Sequence, residues 1–219
     1  MELLDFARGP ALQFALAVFV LGFLWRIVSL FLMPRTKDRS AARPGTRPAL
    51  FAATREIIRR TAPDKAFGKH SLFALVNGYV FHVGLFIVII GFAPHIVFFR
   101  DLLGVSWPSL PNNVIYAAGV ITIASMMVAL VRRFLNPVQR LISTLDDYFS
   151  WLVTFLPVLT GLLANSHLWV RYETLLAIHI LSVELFLIWL PFGKLMHLAL
   201  VFVTRSQIGT HLAHRGAQI

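Results

Sequence analysis

The sequence predicts an all-α integral membrane bundle of five transmembrane helices, and three observations carry that prediction. Of the 219 residues, 58% are hydrophobic and only 14% are charged, whereas a soluble domain is about a quarter charged. The apolar residues fall in five blocks near the roughly 20 residues a helix needs to cross a bilayer. The connections between the blocks differ sharply in charge. The length suits one bundle, so residues 1–219 read as a single membrane domain.

The predicted spans are 10–33, 72–99, 113–131, 148–164 and 174–203; the fourth is the shortest, and the fifth contains Glu184, Pro191 and Lys194. The connection 34–70 holds ten Lys and Arg. Arg132, Arg133 and Arg140 follow span three, and Arg205 and Arg215 lie in the tail, 204–219. The other side has Arg8, Arg100 and Arg171. Basic residues collect on the cytoplasmic side, so the N-terminus is expected outside and the C-terminus in the cytoplasm. The net charge of +10 has the same origin, and no nucleic-acid partner is expected. The start, MELLDFARGPALQ, has an acid and no small-residue cleavage site, so no cleaved signal peptide is expected.

Within 34–70, the stretch PRTKDRSAARPGTRP predicts irregular chain. ALFAATREIIRRTA predicts a short amphipathic helix with Leu50, Phe51, Ile57 and Ile58 against a basic side. Such a helix suits both anionic headgroups and a cytoplasmic partner protein.

The chain has no cysteine. This excludes an iron–sulfur cluster of its own, covalent c-type haem attachment and disulfides. A redox centre would have to use His, Met, Tyr or a non-covalent cofactor.

Eight histidines are present, and His82, His95, His179 and His197 fall inside spans two and five. An ionisable side chain at membrane depth is costly and reads as functional. On one continuous helix His179 and His197, 18 residues apart, would leave the same face about 27 Å apart. That spacing fits two stacked haems, each taking one axial ligand from span five. Span two offers the second ligands, in the pairs His82–His197 and His95–His179. The outer pair matches in depth; the inner pair is offset by about 7 Å, which helix tilt absorbs. On an ideal helix His82 and His95 would point about 140° apart, so span two must be distorted. Gly91 and Pro94 are the candidates for that kink.

Three patches, VFHVGLFIVIIGF around His82, LVRRFLNPVQR with the following LDDYF, and IHILSVELFLIWLPFGKLMHL with His179 and His197, resemble the di-haem cytochrome b family typified by the gamma subunit of respiratory nitrate reductase. That family includes membrane cytochromes of sulfur-metabolism and some hydrogenase complexes. The resemblance covers nearly the whole chain. It implies two haem b groups, with His82 and His197 at the haem nearer the cytoplasm and His179 at the outer one. The family's other outer histidine falls where Phe92 stands here, and His95, one turn on, is the substitute. The resemblance also implies a quinone near the outer haem and an iron–sulfur partner subunit in the cytoplasm. Together these describe a subunit that transfers electrons between the quinone pool and its partner, in the cytoplasmic membrane of a bacterium or archaeon.

The remaining polar residues have competing readings. Arg26 either snorkels to the interface or pairs with a haem propionate. Arg132 and Arg133 anchor the cytoplasmic side, with the same propionate option. Glu184 serves a proton path or bonds a neighbouring helix. Arg100, Asp101 and His167 are the quinone-site candidates, on a rim that also holds Asn112, Asn113, Arg171, Tyr172 and Glu173. His211 and His214 read as solvated surface. No catalytic residue is assigned within the chain. A haem-free membrane scaffold or transporter subunit would explain the spans and the basic connection but not the paired histidines. A one-haem variant would keep His82 and His197 and leave His95 structural.

Overall fold

The computed structural model describes residues 2–34, 39–62, 68–166 and 170–217. These form nine helices with no strand among the described residues. In chain order they are α1 (Leu3–Leu32), α2 (Ala49–Arg59), α3 (Gly68–Gly91), α4 (Ala93–Leu103), α5 (Asn112–Leu135), α6 (Pro137–Ile142), α7 (Leu145–Ser166), α8 (Tyr172–Trp189) and α9 (His197–Arg215). Five of these, α1, α3, α5, α7 and α8, are long and apolar enough to cross a membrane. The protein is a multi-pass helical membrane bundle.

Each long helix is built from apolar residues without a helical stripe, and many face outward. Phe14, Leu21, Trp25 and Phe31 on α1 and Phe86 on α3 are all exposed. A surface of this kind suits hydrocarbon, because lipid gives no hydrophobic drive between helices and packing must come from small residues and polar contacts. The most extensive packing joins α3 to α5 and α7 to α8, with α1 against α8 and α5 against α7. A Cβ on Gly84 of α3 would run into the Thr122 hydroxyl of α5, and one on Gly119 would meet Leu162 of α7 at 2.8 Å. Between α3 and α5, Asn77 Nδ2 donates to the Ser125 carbonyl at 3.1 Å, and the Ser125 hydroxyl donates back to Asn77. Trp151 Nε1 donates to the Met126 carbonyl at 3.0 Å, joining α5 to α7.

Span two is broken where the sequence suggested. Helix α3 stops at Gly91, Phe92 is extended (φ −81°, ψ 127°), and Pro94 lies in the first turn of α4. Proline tolerates that position because its missing N–H would have had no helical partner. The break frees carbonyls at the end of α3. Trp107 Nε1 donates to Ile90 O at 2.7 Å, Leu110 N to Gly91 O at 2.8 Å and His95 Nδ1 to Val88 O at 3.1 Å.

Span five departs from the continuous helix expected over 174–203. Helix α8 ends at Trp189, residues 190–193 turn through Pro191 and Gly193, and a 3-10 turn, Lys194–Met196, leads into α9. Pro191 cannot continue the hydrogen-bond ladder, and it packs on Gly22 of α1, whose added Cβ would lie 2.9 Å away. His179 and His197 therefore sit on different helices. They do not share one face of a single continuous helix, as the 18-residue spacing had suggested.

The chain after 203 is also helical, since α9 runs to Arg215. It forms the main packing surface for α2. The amphipathic helix thus exists, but Ala52 and Glu56 make its buried face, while Leu50, Phe51 and Ile58 stay exposed. Tyr79 Oη donates to Thr61 O, tying the end of α2 to α3.

Candidate functional site

The breaks after α3 and α8 bring four histidines into two pairs. His82 on α3 meets His197, the first residue of α9, with ring centroids 6.0 Å apart and planes at 85°. His95, in the first turn of α4, meets His179 on α8 with centroids 6.1 Å apart and planes at 22°. Two imidazoles bonded to opposite sides of one metal at about 2 Å each place their centroids roughly 6 Å apart. Both pairs have that spacing.

The Nδ1 atom of each ring is already engaged. His82 Nδ1 donates to Gly78 O at 2.7 Å, His197 Nδ1 to Lys194 O at 2.9 Å and His95 Nδ1 to Val88 O at 3.1 Å. A carbonyl only accepts, so in these three rings the proton sits on Nδ1 and the Nε2 lone pair is left for a ligand bond. His179 Nδ1 lies 3.2 Å from Thr160 Oγ1 on α7. The Thr160 hydroxyl donates to Leu156 O at 2.7 Å, so its oxygen accepts from His179. An outer partner of this kind fixes the tautomer and orientation of a metal-bound imidazole.

Local packing supports each pair. A Cβ on Gly161 would lie 3.1 Å from His179 Cε1, so the glycine lets that ring rest against α7. The ring of Phe81 meets His82 edge-on at 4.6 Å, and Phe92 meets His95 edge-on at 5.3 Å. Among the described residues no three His, Cys, Asp or Glu converge on one point. Each pair thus offers two ring nitrogens.

Beside His197 lies an open cleft of about 460 Å³ lined by Arg26, Asp146, Phe192, Lys194 and Val201 among others. Arg26 therefore faces the His82–His197 end of the molecule rather than lipid alone. Lys194 Nζ bonds Asp147, which also pairs with Arg133 at 3.2 Å. This cluster was not foreseen; its sequence signal is the acidic pair Asp146–Asp147 in the first turn of α7, where a helix favours negative charge. Arg132 lies elsewhere, with its guanidinium 5.1 Å from the Phe73 ring. It lines a separate hollow of about 790 Å³ with Phe73 and Asn136.

Arg100 and Asp101 pair with each other at 2.9 Å and both are exposed, and His167 lies outside the described residues. Glu184 is 4% exposed, and its Oε1 has no hydrogen-bond partner. The structure thus shows no bond from this atom to a neighbouring helix. His214 Nε2 bonds Ser40 O at 3.0 Å, joining the end of α9 to the basic connection.

No protein-family model matches the chain, and no solved structure matches it. A protein of Nitratidesulfovibrio vulgaris (strain Hildenborough) is 33% identical over 213 residues, covering 95% of this chain and 92% of that protein. Its name, simply "Protein", states no activity. At that identity and coverage, the chain belongs to the same family as the Nitratidesulfovibrio protein.

Proposed function

We propose that this chain is a membrane-anchor di-haem cytochrome b that transfers electrons between the quinone pool and an iron–sulfur partner subunit. The observation that carries the reading is the spacing of the two imidazole pairs, 6.0 and 6.1 Å between centroids, with every Nδ1 held by an outer partner. A pair of imidazoles is too few donors for a free zinc ion, which takes at least three protein ligands. It suits a metal whose equatorial donors arrive with a macrocycle. With no cysteine in the chain, that macrocycle is held non-covalently, as haem b is.

In this reading His82 and His197 hold one haem, and His95 and His179 the other. Arg26 and Lys194, at the cleft beside His197, offer cations to the carboxylate edge of the first. Bound haem supplies reversible one-electron chemistry, and the chain supplies ligands, burial and orientation. The basic α2–α9 end is assigned to the cytoplasm, with the N-terminus outside, in the cytoplasmic membrane of a bacterium or archaeon. The iron–sulfur subunit would meet that end. Quinone would bind near the His95–His179 pair, where Arg100 and Asp101 lie on the same helix as His95. Complete enzymatic turnover needs the partner; this chain is the conduit.

The test is a visible spectrum of the purified protein with a haem assay. Reduced b-type bands and about two haems per chain are expected from the two pairs. Absence of a Soret band from protein made with adequate haem supply leaves the haem-free scaffold or transporter subunit in its place.

A further inference from the structure

The four histidines differ in what holds their Nδ1 protons. At the His82–His197 pair both acceptors are backbone carbonyls, at 2.7 and 2.9 Å. At the His95–His179 pair the bonds are longer, 3.1 Å to a carbonyl and 3.2 Å to the hydroxyl oxygen of Thr160. That oxygen also lies 3.0 Å from the Ser182 hydroxyl, which donates to His179 O at 2.7 Å. The Thr160 hydroxyl thus sits between His179 and Ser182, with its own proton directed to Leu156 O.

Resting on the di-haem reading above, we infer that Thr160 is a positioning residue that tunes the reduction potential of the His95–His179 site. A hydrogen bond accepted from Nδ1–H pushes electron density toward Nε2 and makes the imidazole a better donor to iron. A better donor stabilises the oxidised metal and lowers the potential. The acceptor at Thr160 therefore holds the potential of the His95–His179 site below the value it would have without that bond. Gly161 belongs to the same device, since a Cβ there would lie 3.1 Å from His179 Cε1 and crowd the ring beside Thr160.

The experiment is a potentiometric titration of the full-length protein in detergent, followed through its visible bands. In the unaltered protein two midpoints are expected, and the one that disappears in His179→Ala belongs to the His95–His179 site. Thr160→Val has nearly the same shape and no acceptor, so it raises that midpoint and leaves the other in place. Thr160→Ser keeps the hydroxyl and restores the original value. Thr160→Cys, a poorer acceptor of similar size, shifts the midpoint the same way but less; it supplies the readout if the valine variant loses haem. Two haems with both midpoints unmoved in Thr160→Val, or in Thr160→Cys where that variant stands in, overturn the role of Thr160 and leave the di-haem reading intact. Movement of the other midpoint instead also overturns it. Absence of haem from the unaltered protein overturns both.

Discussion

The imidazole of His82 stands edge-on to that of His197, with planes 85° apart and centroids 6.0 Å apart. His95 and His179 keep the same separation with planes only 22° apart. The two pairs thus share a spacing and differ in twist. Crossed axial imidazoles leave two iron d orbitals nearly equal in energy, and parallel ones split them. On the proposed di-haem reading, the oxidised protein should give two low-spin electron paramagnetic resonance signals, the more anisotropic from the His82–His197 site. His82→Ala and His197→Ala should each remove that signal and one haem, leaving the other. His95→Ala and His179→Ala should remove its counterpart. A single variant that abolishes both signals while the protein stays folded contradicts the independent pairing.

Glu184 carries a different prediction. Its carboxyl is buried and Oε1 makes no hydrogen bond. An unsatisfied buried polar group costs about 1–3 kcal/mol. Glu184→Met, similar in length and apolar, should therefore raise the thermal unfolding midpoint of the detergent-solubilised protein. A lower midpoint would mean that the carboxyl has a stabilising partner after all.

The stability of α2, which packs on α9, should depend on pH through Glu56, whose partners Arg59 and Arg60 follow it by three and four residues. Hydrogen bonds from Arg59, two of them at 2.9 Å, lead the causes that hold its carboxyl down at about 2; burial opposes them, and Arg60 adds to them. The folded value lies below the ordinary 4.5, so the stabilisation is complete above that pH and is lost as pH falls toward about 2. Amide exchange across 49–59 should accelerate over that window, after correction for the intrinsic rate. Glu56→Gln should weaken α2 at neutral pH by roughly 1 kcal/mol and flatten the pH response. An unchanged acid response in that variant would assign the effect to another group.

Gly209 is the contact point of the same pair. A Cβ there would lie 2.5 Å from Ala52 O and 2.7 Å from Glu56 Cβ. Gly209→Val should push the helices apart at a cost of about 1–3 kcal/mol. The chain has no cysteine, so Ala52→Cys provides a single thiol on the buried face. Its labelling should be slow in the parent and fast when Gly209→Val is added. Equal rates would show that α2 does not rest on α9.

How much of this was legible beforehand depended on the kind of force involved. Five spans could be read because bilayer thickness sets a length and hydrocarbon sets a composition. The histidines stood out because an imidazole at that depth has to be accounted for. The kink near Pro94 could be read as well, since a proline restricts its own backbone and the preceding residue whatever surrounds them. The same rule was available for Pro191, yet the apolar run through it read as one long helix. Composition alone does not say whether a helix bends at a proline or stops.

A helical membrane protein could be read from residue order alone, because hydropathy and backbone sterics are local properties. Of the four histidines expected inside spans, His82 and His179 lie within the long apolar helices, while His95 and His197 lie just beyond their ends. Tertiary structure alone decided that His179 and His197 sit on separate helices yet each meets a partner. It also gave His179 a threonine hydroxyl where the other three have carbonyls, and turned α2 against α9. Those outcomes depend on how residues distant in the chain approach one another, and no spacing along the sequence contains that distance.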